Sequence, residues 1–165
     1  MRKIIYIVML LIVFTSTGKA FSPQNKTFGF GIQVGEPTAL TGKFWLQKDQ
    51  AIAFSVGNSY LGSLRFGGDY LFHFNAFNSN VVNLYAGPGI AFGTGKSGGW
   101  WYKKGDHYWY DNTDATGFGA RGVFGINVVP KRTPLEIFAE FGLMIGISPT
   151  GWTEQEAALG IRFYF

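Results

Sequence analysis

At 165 residues the chain is the size of one domain, and 24 Gly, 17 Phe, 8 Tyr and 5 Trp against 15% charged residues leave little room for helix formers. The formal charge of +4 gives no electrostatic footprint for nucleic acid, because Arg2, Lys3 and Lys19 supply the excess and without them 11 basic face 10 acidic side chains. Cysteine is absent, which excludes a disulfide framework, thiol chemistry and a lipid-modified N-terminal Cys.

The first segment predicts export. Arg2 and Lys3 precede an apolar run from Ile4 to Phe14, and Gly18 and Ala20 put small residues three and one before a cut after Ala20. A cleaved signal peptide over 1–20 and a mature domain over 21–165 follow from this pattern. The run is 11 residues long, short of the roughly 17–25 that a spanning helix needs. No later segment is apolar for as long, and the mean hydropathy is +0.10. A membrane form of this chain must therefore be a closed barrel, since only helices and closed barrels satisfy their backbone groups in lipid.

Eight strands are predicted in order: Thr27 to Val34, Ala39 to Leu46, Ala51 to Asn58, Leu64 to Phe74, Val81 to Phe92, Thr116 to Val128, Leu135 to Ile145 and Gln155 to Phe165. The fourth shows the pattern best. Leu64, Phe66, Tyr70, Phe72 and Phe74 share one face, while Arg65, Gly67, Asp69 and His73 share the other, the period of 2 of a pleated strand. Connections at Gln47-Lys-Asp-Gln50, Asn75 to Asn80 and Pro130-Lys-Arg-Thr-Pro134 are short, whereas Gly93 to Ala115 is long. With an even strand count the long connection falls opposite the termini, as in outer-membrane barrels with short periplasmic turns and longer extracellular loops. The fold class expected is all-β: an eight-stranded antiparallel up-and-down transmembrane barrel.

The two faces sort consistently along the chain. Phe28, Phe30, Ile32, Val34, Leu40, Phe44, Leu46, Ile52, Phe54, Val56, Leu84, Ile90, Phe118, Phe124, Ile126, Leu135, Ile137, Phe141 and Leu143 are assigned to lipid. The opposite face is rich in glycine and carries Lys43, Arg65, Asp69, His73, Arg121, Glu136, Glu140, Glu156 and Arg162. An eight-stranded barrel has an interior only wide enough for side chains, so small residues must make room for long charged ones. Four cations and four anions balance, which predicts a plugged lumen of paired charges, with Arg121, Glu136, Glu140 and Arg162 within reach of one another on the last three strands. Pro88 cannot donate to a ladder and is read as a bulge between Gly87 and Gly89.

The strand count, the export signal and the terminal aromatic Phe165 resemble the small bacterial outer-membrane barrels of the OmpA-transmembrane and OmpX type. The segments Gly35-Glu-Pro-Thr-Ala-Leu-Thr-Gly-Lys-Phe-Trp-Leu46, Gly68-Asp-Tyr-Leu-Phe-His73, Glu136-Ile-Phe-Ala-Glu140 and Gly160-Ile-Arg-Phe-Tyr-Phe165 are similar to a family of short, mostly uncharacterised outer-membrane barrel proteins. That resemblance implies an outer-membrane location among lipid and lipopolysaccharide. It also implies recognition of the C-terminal aromatics, Phe163 and Phe165, by the outer-membrane assembly machinery. The periplasmic peptidoglycan-binding role of OmpA itself does not carry over.

Motifs of chemistry are sparse. Gly93-Thr-Gly-Lys96-Ser97 lacks the first glycine of a phosphate loop, whose position holds Ile90, and no helix pattern follows. His73 extends the Arg65 and Asp69 row and reads as a structural interior group rather than a general base. No metal site or cofactor is expected, since His73 and His107 fall on opposite sides of the membrane in this layout and no Cys assists. In the long loop, Trp100-Trp101-Tyr102 and Tyr108-Trp109-Tyr110 read as two aromatic arms of a hairpin around a Lys-Gly turn. Trp and Tyr favour the headgroup level, so a girdle is the plain expectation. The sharper one is an extracellular ligand, a sugar, lipopolysaccharide or another cell, held between Gly93 and Ala115.

Three functions compete at this point. A structural or interaction barrel needs no catalytic group and is preferred. A lipid-modifying enzyme, an acyl hydrolase or transferase, would draw on Ser97, Asp106, His107 and Asp111, which show no recognisable spacing. A soluble periplasmic carrier of lipocalin type is opposed by the glycine-lined interior.

Overall fold

The computed structural model describes residues 26–95, 116–147 and 153–165 in full and the backbone of 100–104, 107–111, 148 and 152. The expected signal peptide and the tip of the long loop lie outside these. Among the described residues ten strands are formed: β1 (Phe28–Gly35), β2 (Thr38–Trp45), β3 (Gln50–Ser59), β4 (Gly62–Phe74), β5 (Val82–Thr94), β6 (Trp100–Lys104), β7 (His107–Asp111), β8 (Gly117–Val128), β9 (Leu135–Ser148) and β10 (Trp152–Tyr164). Eight of them close into a barrel in the order β1-β10-β9-β8-β5-β4-β3-β2, and β6 and β7 make a separate two-stranded sheet. Every neighbouring pair in the barrel is antiparallel, so the topology is up-and-down and no barrel strand is left with a free edge.

The register fixes the geometry of the tube. Following cross-strand partners from Tyr164 through Gly29, Lys43, Ala53, Asp69, Gly89, Arg121 and Met144 returns to β10 at Glu154, ten residues away. A shear of ten over eight strands tilts the strands by about 40° to the barrel axis, given a rise of about 3.3 Å and a spacing of about 4.8 Å. The outward face of β9 is apolar from Leu135 to Ile147, a stretch of about 30 Å along the axis at that tilt.

Why the chain accepts this narrow tube is written in its glycines. Large inward side chains are paired directly with glycine on a neighbouring strand: Tyr164 with Gly29, Tyr85 with Gly125, Phe138 with Gly160, Arg65 with Gly57, Arg162 with Gly31 and Glu156 with Gly142. A Cβ at Gly29, Gly125 or Gly160 would run into the aromatic ring opposite. The side chains thus lie across bare backbone, which is how an interior this small holds them.

Pro88 does not make a bulge. Pairing of β4 with β5 lapses after Asp69↔Gly89 and resumes at Phe72↔Ala86 in unchanged register, while β5 pairs continuously with β8 through Pro88↔Gly122. The missing N–H therefore costs a rung on the β4 side without inserting a residue. Gly87 has a different reason for being glycine: a Cβ there would collide with the Tyr70 carbonyl. Register shifts occur instead between Gly57 and Ser59 and between Phe118 and Gly119.

Candidate functional site

The barrel interior divides into alternating apolar and charged layers. From the end where β1 begins and β10 finishes, the first layer is Trp45, Ala51 and Tyr164, the middle apolar layer is Ala53, Leu71, Tyr85, Val123 and Phe138, and the far one is Leu61, Ala91 and Met144. Between them lie two charged clusters. Each consists of side chains on the inward phase of their strands, the phase opposite to the exposed Phe, Leu and Ile residues.

The cluster nearer the strand termini centres on Glu136, which is fully buried. Lys43 Nζ donates to its Oε1 at 2.6 Å, Asn127 Nδ2 donates to the same oxygen at 2.6 Å, and Tyr164 Oη donates to Oε2 at 2.6 Å. Arg162 Nη1 stands 3.4 Å from Oε2, and the rest of its guanidinium donates to Thr41 Oγ1 from Nε at 3.1 Å and Nη2 at 2.8 Å. Lys43 Nζ also donates to His73 Nε2 at 2.7 Å. That contact makes His73 the neutral Nδ1–H tautomer, because an ammonium offers only donors. Cation–π contacts tie the cluster to the apolar layers: Lys43 Nζ is 4.5 Å from the Trp45 ring centroid and Arg162 Cζ is 3.8 Å from that of Phe138.

The second cluster is organised by Arg121. Its Nη2 donates to Glu140 Oε1 at 2.6 Å, its Nη1 is 3.0 Å from Glu156 Oε2, and its Nε is 3.1 Å from Asp69 Oδ1. Arg65 Nη2 donates to Glu156 Oε1 at 2.5 Å. Tyr85 joins the two clusters. Its hydroxyl donates to Glu140 Oε2 at 3.1 Å, and its ring lies 5.2 Å from Lys43 Nζ. Beyond this cluster, Glu36 in the β1–β2 turn accepts from the Tyr60 N–H at 3.1 Å, and its burial raises the carboxyl above the ordinary range.

All nine residues expected in the lumen lie on the inward phase of their strands, where they fall into two ion-paired clusters bridged by Tyr85. Arg121 pairs with Glu140 and Arg162 with Glu136, and the Tyr85–Phe138 layer lies between the two pairs. Sequence reasoning missed the neutral partners Thr41, Trp45, Tyr85, Asn127 and Tyr164. The signal for them was their phase, since each falls in step with an inward charge or glycine of its own strand.

The aromatic arms of the long loop form β6 and β7, in the register Trp100↔Asp111, Trp101↔Tyr110, Tyr102↔Trp109, Lys103↔Tyr108 and Lys104↔His107. Gly95, at φ 91°, occupies the left-handed region just past β5. Phe163 and Phe165 are exposed on the outer face, their rings in edge contact at 5.2 Å. Among the described residues no group of three or more His, Cys, Asp or Glu is arranged to hold a metal ion. No protein-family model matches the chain, and no curated protein matches it.

Proposed function

We propose that the protein is an integral outer-membrane barrel whose lumen is plugged by paired charges, and that it acts as a structural or loop-mediated interaction protein of the cell envelope. One observation carries this reading. Among the described residues the outward barrel face bears no Asp, Glu, Lys or Arg, while nine such side chains, Glu154 among them, and His73 are turned inward. A protein in water has the reverse polarity, with charges outside and hydrocarbon within. Exposed apolar patches beyond a few hundred Å² mark a membrane or partner surface, and this one encircles the barrel with Phe30, Phe54, Phe66, Phe124, Phe141 and Ile161 among others. A soluble carrier of lipocalin type has no use for such a belt. Lipid and lipopolysaccharide are then its surroundings, and Phe163 and Phe165 its contact with the assembly machinery.

Fractionation of cells expressing the full chain tests the location. The mature protein is expected in the outer-membrane fraction, extracted only by detergent and migrating faster on a denaturing gel unheated than boiled, as a closed barrel does. Release into the periplasmic fraction without detergent overturns the reading.

A further inference from the structure

The barrel is not electrically alike at its two ends. At the end where β1 begins and β10 finishes, the described residues outside the strands carry Lys26, Lys48, Lys131 and Arg132 against a single acidic side chain, Asp49. Lys48, Lys131 and Arg132 are exposed, and none of the four forms an ion pair with another described residue. At the other end, the fully described side chains outside the lumen clusters include two carboxylates, Glu36 and Glu154, and no cation, and in the sequence of the long loop Lys96, Lys103 and Lys104 are offset by Asp106, Asp111 and Asp114.

The four cations also share one arc. In the barrel order, the β2–β3 turn with Lys48, the segment before β1 with Lys26 and the β8–β9 turn with Lys131 and Arg132 follow one another around the rim. The remaining turn, 75–81, has no charged residue. Depth is fixed by Lys26. Its Nζ donates to the Tyr164 carbonyl at 3.1 Å and sits 5.7 Å from the centroid of Phe163, an outward-facing ring of the apolar belt. Lys48 likewise lies two residues beyond the outward-facing Leu46. Cations at the edge of a hydrocarbon-facing belt lie at headgroup level, their stems along apolar surface and their charges in the polar layer.

We propose that this arc is a docking surface for the phosphodiester headgroups of anionic phospholipid in the leaflet at that end. The proposal rests on the membrane reading above and deepens it. Phosphate oxygens accept from the ammonium groups as point charges and from the Arg132 guanidinium as a fork. A basic side chain near an anionic lipid surface concentrates such lipid on the order of fivefold before salt screens it.

The test uses the full mature chain folded into vesicles of equal parts phosphatidylcholine and phosphatidylglycerol. Lipid that remains bound after gentle detergent extraction is counted by mass spectrometry. Three proteins are compared: wild type, a variant carrying Lys26→Gln, Lys48→Gln, Lys131→Gln and Arg132→Gln, and a control carrying Lys96→Gln, Lys103→Gln and Lys104→Gln in the long loop. Wild type and control are expected to retain at least threefold more phosphatidylglycerol than phosphatidylcholine, a bias that falls below half in the rim variant and in high salt. Equal retention by wild type, a bias kept by the rim variant, or a bias lost in the loop control overturns the rim proposal and leaves the membrane reading standing. Failure of wild type to enter vesicles as a heat-shiftable band overturns the membrane reading and the rim proposal with it.

Discussion

Gly160 faces Phe138 across the β9–β10 ladder, and a Cβ added there would press on the Phe138 ring and approach the Ile32 carbonyl. Phe138 cannot yield easily, because the Arg162 guanidinium lies over its ring, Cζ 3.8 Å from the centroid. Gly122, by contrast, points outward with nothing within 4 Å of where a Cβ would go. The two glycines are therefore expected to respond oppositely to the same change. Gly160→Ala should cost about 1–3 kcal/mol of stability through overpacking, while Gly122→Ala should stay within about 0.5 kcal/mol of wild type. Urea unfolding in lipid vesicles, followed by tryptophan fluorescence, measures both. Equal effects would mean that interior glycines do not serve to make room for aromatics.

At the scale of elements, β6 and β7 pair, among the described residues, only with each other. A lone two-stranded hairpin is marginal in water and contributes nothing to barrel closure. Replacing 96–115 with a short Asn-Gly turn is expected to leave a barrel that still shifts on heating, and loss of the shift would make the hairpin part of the folding unit. In the intact chain, lipids carrying quenchers at headgroup depth are expected to quench Trp100, Trp101 and Trp109. Quenching by aqueous iodide instead would favour a ligand-binding hairpin. The arms of this hairpin were legible because two aromatic runs flank a Lys-Gly pair. The eight barrel strands were legible because period 2 is local: Leu64, Phe66, Phe72 and their like name the outer face wherever they occur. Pro88 misled because a missing donor has two outcomes, a bulge or a lost rung, and only the register with β8 distinguishes them. The partners of the charges were hidden for a related reason. Lys43 on β2 meets Glu136 on β9, Arg65 on β4 meets Glu156 on β10, and Arg121 on β8 meets Asp69 on β4, all across the lumen between strands that are not ladder neighbours. Such contacts depend on the shear of the closed tube, which no stretch of sequence records.

For the molecule as a whole, the two clusters balance only together. With His73 neutral and the other groups ionised, Lys43 and Arg162 against Glu136 leave one positive charge, and Arg65 and Arg121 against Asp69, Glu140 and Glu156 leave one negative charge. The excess of each is opposed by the other across the Tyr85–Phe138 layer. This makes Arg121 the most exacting position in the lumen. Arg162→Ala still leaves Lys43 on Glu136, whereas Arg121→Ala leaves Arg65 alone against three carboxylates. Breaking a buried pair by removing one partner costs on the order of 3–5 kcal/mol, so Arg121→Ala should reach that range and Arg162→Ala should fall below it. Adding Asp69→Asn and Glu140→Gln to Arg121→Ala removes two of the stranded charges and should recover a large part of the loss. In planar bilayers the wild type is expected to conduct poorly, since both clusters and all three apolar layers obstruct the axis, and Arg121→Ala should admit a small cation-preferring leak toward its uncompensated carboxylates. A large steady conductance from wild type, or unfolding midpoints that rank Arg162→Ala below Arg121→Ala, would show that the lumen charges do not seal the barrel as paired groups.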